Sequence, residues 1–259
     1  MNKEILIPTS WQDVTLGEFI ELSSLNPESY KTPIEYYIHM LRVFGNDDIE
    51  SIFEYIKAVD INNIVGQMSF MNKQPDKLDN KSVVIEGQTF YLTKNLNEIT
   101  VGEYVSIEQM IESGSLDSVS AIPVILSVIL RPLDEEFDSN LCTERIELFK
   151  QSLSIEDVLG MSVFFFDWRK VITFNYAGLF NPVNEEEDNV ADQPSAPVFS
   201  DRWKWFSIIE RLAKGDITKF EDVYNVTYIT ALNTLSYWHE RDQYQARLQK
   251  RQDMMNKHK

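Results

Sequence analysis

The stretch Val14-Thr15-Leu16-Gly17-Glu18-Phe19-Ile20 returns later in the chain as Ile99-Thr100-Val101-Gly102-Glu103-Tyr104-Val105. Each copy has the T-x-x-E spacing of a capping box: the threonine oxygen accepts the N3 amide, and the glutamate reaches back to the threonine amide. Val14 with Phe19, and Ile99 with Tyr104, have the spacing of a hydrophobic staple across that cap. An internal repeat constrains architecture more than any composition does, so it is settled first. The echo continues downstream. Thr32-Pro33-Ile34 is answered by Ala121-Ile122-Pro123-Val124, Ile61–Gly66 by Ile155–Gly160, and Phe70 by Phe164. The offset grows from 85 (99 minus 14) to 94 (155 minus 61), as loop insertions would make it. Short extended runs, Ile5-Leu6-Ile7 and Phe90-Tyr91-Leu92, precede the caps. On this pattern residues 1–75 and 85–180 are two copies of one unit.

Element by element, residues 3–8 read as an edge strand closed by Pro8. Helices are predicted from the Thr15 cap to Leu25, from the Thr32 cap with Pro33 at its first position, over 49–59 and over 61–71. Ser82–Thr93 reads as a hairpin turning at Glu86-Gly87-Gln88. The second copy is helical from Thr100 to Ile111, over the almost wholly apolar Ile122–Leu130, and over 142–153 and 155–176. Asn181–Pro197, with Glu185-Glu186-Glu187-Asp188 and three prolines, reads as a flexible acidic linker. Beyond it, Arg202–Lys214 is helical, Thr218-x-x-Glu221 repeats the capping spacing, and Tyr228–His258 reads as one long helix. The fold class is mainly α with small β elements (α+β). The expected domains are 1–81 (first unit), 82–180 (hairpin and second unit), 181–199 (linker) and 200–259 (helical C-terminal part).

Of the 259 residues 43% are hydrophobic, enough for a packed core, and the net charge is −17. That charge disfavours direct nucleic-acid binding, which needs local basic surface. The single cysteine, Cys142, allows no disulfide framework within one chain and suits a reducing compartment. The start of the sequence shows no signal-peptide apolar region, and no apolar run reaches the length of a membrane span.

No chemistry is signalled. His39, His239 and His258 sit in separate segments without metal-ligand spacing, and no phosphate-cradling or nucleophile-elbow motif occurs. No cofactor and no metal are expected. Asp134, Glu135, Glu136 and Asp138 read as a solvated turn, since they lack the alternation and central glycine of a calcium loop. Trp203, Trp205 and Phe206 fall within one turn and cannot all enter one core. Trp205 therefore either packs on a second element or marks an interface. The last twenty residues hold six basic and three acidic side chains. Three readings of Arg241–Lys259 stay open: a solvated helix end, a partner-docking helix, and nucleic-acid contact. The candidate partner-binding residues are Trp203, Trp205, Arg241, Arg247, Lys250 and Arg251.

The run Ile7-Pro8-Thr9-Ser10-Trp11-Gln12-Asp13-Val14-Thr15-Leu16-Gly17-Glu18-Phe19-Ile20-Glu21-Leu22 resembles openings of morphogenesis proteins from bacteriophages of Bacteroidota, including the crAss-like group. Ala231-Leu232-Asn233-Thr234-Leu235-Ser236-Tyr237, followed by a charged helix, resembles them too. These are packing and capping patterns, and they carry over no functional residue. The resemblance implies a non-enzymatic structural protein of the virion, assembled in the host cytoplasm. It would lie near the portal or tail or travel as cargo, with other phage structural proteins, or copies of itself, as partners. The alternatives are a tail assembly chaperone that leaves before completion, an acidic mimic of nucleic acid, and, more distantly, a hydrolase.

Overall fold

The computed structural model describes residues 6–46, 49, 58–93, 95–180 and 199–257, except for the side chains of 58–62, 180, 199–204 and 257. In chain order the helices are α1 (Leu16–Ser24), α2 (Pro33–Val43), α3 (Ala58–Gln67), α4 (Val101–Ser113), α5 (Ile122–Ile129), α6 (Cys142–Ser152), α7 (Ile155–Asn175), α8 (Ala177–Phe180), α9 (Phe199–Leu212), α10 (Phe220–Tyr224) and α11 (Tyr228–Lys257). The strands are β1 (Ser82–Ile85), β2 (Gln88–Leu92) and β3 (Leu130–Arg131). The chain is therefore mainly helical with one small antiparallel sheet, ordered β1-β2-β3. No helix among the described residues is long and apolar enough to cross a membrane.

The capping chemistry works as its spacing predicts. Glu18 N–H donates to Thr15 Oγ1 at 3.2 Å, and Thr15 N–H donates to Glu18 Oε2 at 2.7 Å. The second copy repeats those distances between Thr100 and Glu103. Glu103 is buried, whereas Glu18 is only half-buried. Thr32 caps α2, and Pro33 occupies its first turn, where a missing amide costs nothing.

The chain forms two compact units, each built from two separate stretches of sequence. One unit joins residues 1–94 to 109–165, and the other joins 95–108 to 166–259. Each unit is closed by a cap-to-cap pairing. In the first, Leu16 N–H donates to Leu153 O at 2.8 Å and Ile155 N–H to Val14 O at 3.0 Å, which sets Thr15 against Ser154. In the second, Val101 N–H donates to Val226 O and Tyr228 N–H to Ile99 O, both at 2.8 Å, which sets Thr100 against Thr227. The recurring heptapeptide is thus one half of a two-part device. The wider repeat does not follow it. Ile155 opens α7 directly after its Ser154 cap, whereas its supposed counterpart Ile61 lies inside α3.

In the first unit the core is built around α5, all of whose residues are buried. It packs on α6, and the hairpin adds Val83, Ile85, Phe90 and Leu92 by strict alternation. Phe90 meets Phe149 edge-to-face at 5.4 Å. The hairpin turns through Glu86 (φ 50°) and Gly87 (φ 83°), a left-handed pair that matches the twist of the strands. In the second unit Val101, Val105, Ile209, Ala213, Val223 and Ala231 form a cluster flanked by Trp205, Leu212, Phe220 and Tyr224.

Several local expectations are corrected. Residues 6–8 form no strand: Leu6 N–H donates to Asn46 Oδ1 and Asn46 Nδ2 returns to Leu6 O, both at 2.8 Å, so a side chain replaces the ladder. The helix predicted over 61–71 is α3 followed by a 3₁₀ turn over Met68–Asn72. Thr218 is not a cap. Asp216 holds that place, accepting from Thr218 N–H at 3.0 Å and Thr218 Oγ1 at 2.6 Å. Most of the helix predicted over 49–59 lies outside the described residues. So does the predicted linker up to residue 198, and Phe199 already belongs to α9.

Candidate functional site

The predicted contact residues fall in the second unit, on α9 and α11. Thr227 starts α11, and Tyr228 in its first turn is 1% exposed. Its ring stacks on Tyr104 at 3.9 Å and 12°, with Trp168 and Trp205 set around the pair. Trp205 meets Tyr104 edge-on at 5.8 Å. Trp205 thus packs on a second element, and it is half-buried. The side chain of Trp203 lies outside the described residues.

Below the stacked rings Arg169 pairs with Glu108, Nη2 to Oε1 at 2.8 Å. Trp168 Nε1–H donates to Asn97 Oδ1 at 3.0 Å. The Tyr228 hydroxyl is buried and no group stands in hydrogen-bonding geometry to it. Burial, and then the Glu108 carboxylate, push the Tyr104 phenol up to about 12. Burial raises the Tyr228 phenol further still. For Arg169, burial pulls downward, but Glu108 and Tyr104 more than offset it, and the guanidinium stays charged.

A cleft of about 440 Å³ opens beside this nest, lined by Leu179, Trp205, Ile208, Leu212, Leu235 and, among the polar side chains, Ser207, Arg211 and His239. Arg211 is already engaged: its guanidinium lies 5.5 Å over the Trp238 ring and donates to Asp242 Oδ2 at 3.0 Å. His239 Nε2 sits 2.9 Å from the Gln243 amide nitrogen.

Past the cleft α11 changes character. Every residue from Glu240 to Asn256 is exposed, over about 25 Å of helix. Arg241 bonds to Asp242 at 3.1 Å and Arg247 to Gln243 O at 3.4 Å, both on the same helix. Lys250 and Arg251 form no ion pair among the described residues. Composition hid a further feature. Tyr237, Tyr244, Leu248 and Met255 are spaced by seven, four and seven residues, which at 3.6 residues per turn places them within about 40° of one another. Their exposures are 64, 60, 40 and 63%. Arg241 and Arg251 flank this stripe, with Arg247 farther round on the Arg251 side.

The other candidate chemistries find structural duties. Glu135 is held by Arg145, and Asp138 Oδ1 accepts Asn140 N–H at 2.9 Å, so the acidic turn is tied down internally. Cys142 is 1% exposed, and burial pushes its thiol up, away from the reactive thiolate. Among the described residues no group of three or more His, Cys, Asp or Glu is placed to hold a metal ion.

No family model, curated protein or solved structure matches this chain.

Proposed function

We propose that this chain is a non-enzymatic protein of a bacteriophage particle, placed near the portal or tail or carried as cargo, which works by holding neighbouring proteins. The observation that carries the contact role is the outer half of α11. It is a continuous helix with an apolar stripe and an arginine rim that no other described part of its own unit covers. A monomer has no use for such a stripe, and helix-in-groove recognition does. The phage assignment rests on the resemblance of residues 7–22 and 231–237. Against the nucleic-acid-mimic reading, Asp13, Glu18, Glu103 and Asp216 are turned onto local amides instead of being arrayed outward like phosphates.

Mass spectrometry of purified particles is the test. The protein should be present at a fixed ratio to the major structural proteins. Its absence from particles, together with co-purification with a tail protein from infected lysate, would replace this role with that of an assembly chaperone.

A further inference from the structure

The first unit carries a groove of mixed polar and apolar lining that no other described residue of that unit fills. The groove, of about 290 Å³, lies between the 3₁₀ turn Trp11–Asp13, α1, α2 and the end of α3. Trp11, Phe19, Tyr37, Met40, Met68 and Met71 are among its lining. Trp11 anchors it, edge-on to Phe19 at 5.5 Å and to Phe70 at 5.2 Å, with its Nε1–H donating to Lys73 O at 2.8 Å. Met40 and Met68 form its buried floor, and the half-buried Trp11, Phe19, Tyr37 and Met71 give the accessible face, an aromatic edge of the kind an amphipathic helix can lie against.

Charge selects the occupant. The unit containing the groove holds 24 Asp and Glu against 11 Lys and Arg, a net charge of −13 over residues 1–94 and 109–165. The 3₁₀ turn and α1, which form one wall, carry Asp13, Glu18 and Glu21 outside the lining itself, and Lys73 adjoins the groove through its carbonyl on Trp11. Residues 240–259 hold six Lys and Arg against three Asp and Glu, a net charge of +3.

We infer that the Tyr237–Met255 stripe of one copy docks in the Trp11–Met71 groove of a second copy, so that the chain associates head to tail. The surfaces are different patches, so the contact is heterologous and propagates into a ring or a filament unless one end is blocked. The inference rests on the contact role proposed above and names the first neighbour. Its failure would leave the particle test untouched.

The test is complementation with the full-length chain, read by light scattering after size exclusion. The wild-type chain should exceed its 30.2 kDa monomer mass, increasingly with concentration and less at high salt. Leu248→Glu, on an exposed position that no core uses, should weaken association at least tenfold. Met71→Lys in the groove should do the same. Ser69→Arg, at an exposed residue of the groove rim, serves if Met71→Lys lowers the helical circular dichroism. Neither variant alone should associate, but an equimolar mixture should form a 1:1 pair, because one retains the groove and the other the stripe. A wild-type chain that stays at 30.2 kDa throughout overturns the inference. So does association unaffected by Leu248→Glu, or a mixture that stays monomeric.

Discussion

Gly66 and Gly160 occupy matching places in the sequence echo, so the two should respond alike to substitution if the halves were copies throughout. The structure predicts opposite signs. At Gly66 an added Cβ meets nothing within 4 Å. Gly66→Ala then gains only the helix preference of alanine over glycine, about 0.5–1 kcal/mol near a helix end. At Gly160 the added Cβ would overlap the Leu78 carbonyl oxygen and sit 3.1 Å from the Leu78 carbonyl carbon. These are backbone atoms, and Asn80 Nδ2 ties the same segment to Asp157 O at 3.2 Å, so the neighbour cannot simply rotate aside. Overpacking of this kind costs roughly 1–3 kcal/mol. Because backbone must shift, the upper end of that range applies, and the alanine preference offsets about 1 kcal/mol. The net loss is roughly 2 kcal/mol. In a chain of this size 1 kcal/mol moves the melting midpoint by about 2–4 °C. Scanning calorimetry of the full chain should therefore show Gly66→Ala rising by about 2 °C and Gly160→Ala falling by roughly 4–8 °C. A Gly160→Ala protein that melts at or above the parent would refute the packing argument.

Three further outcomes follow from the buried polar groups. Tyr228→Phe removes a buried hydroxyl that lacks a partner, and should leave stability unchanged or raise it by about 1 kcal/mol in urea unfolding; a loss larger than that would mean the hydroxyl is satisfied. Stability should decline in alkali. The Tyr104 phenol is held protonated to about 12 in the folded chain, whereas the unfolded phenol ionises near its ordinary value of 10.0. Its contribution is thus complete below pH 10 and falls between about 10 and 12, by about 1.4 kcal/mol per pH unit; urea midpoints that stay flat across that range would count against it. Glu135→Gln strips the charge partner from Arg145, whose side chain is 10% exposed, and should cost about 2 kcal/mol, discounted because Glu135 is itself 29% exposed.

The helix starts were legible because capping is local: a threonine, two spacers and a glutamate complete the hydrogen bonds within one turn. The hairpin was legible for the same reason, since Glu86-Gly87 supplies the left-handed pair and alternation does the rest. At Thr218 two local devices competed. Asp216 wins because its carboxylate reaches both the amide and the hydroxyl of Thr218. Residues 6–8 of the strand predicted over 3–8 take no ladder because a distant side chain, Asn46, satisfies both the amide and the carbonyl of Leu6. The stripe on α11 was readable from its spacing alone, yet polar neighbours diluted it in any window average. The groove was not readable, because its walls come from segments separated by tens of residues.

The repeated heptapeptide also holds a glycine, in Leu-Gly-Glu and Val-Gly-Glu, that capping does not explain. A capping box needs threonine and glutamate but has no need of glycine at the second helical position, where it costs helix stability. The pairing of caps explains it. A Cβ on Gly17 would press on Lys150 O at 3.1 Å, and one on Gly102 would press on Tyr224 O at 3.3 Å. Lys150 lies in α6 just before the Ser154 cap, and Tyr224 ends α10 just before the Thr227 cap. In both units the glycine lets one helix start lie against the backbone that leads into another. The heptapeptide therefore encodes a docking face as well as a cap, and each copy requires a partner much later in the chain. Because the copy at 95–108 falls between the two parts of the first unit, the units are interleaved in sequence as first, second, first, second. A tandem cut at any single position severs at least one cap-to-cap pairing or leaves one unit incomplete.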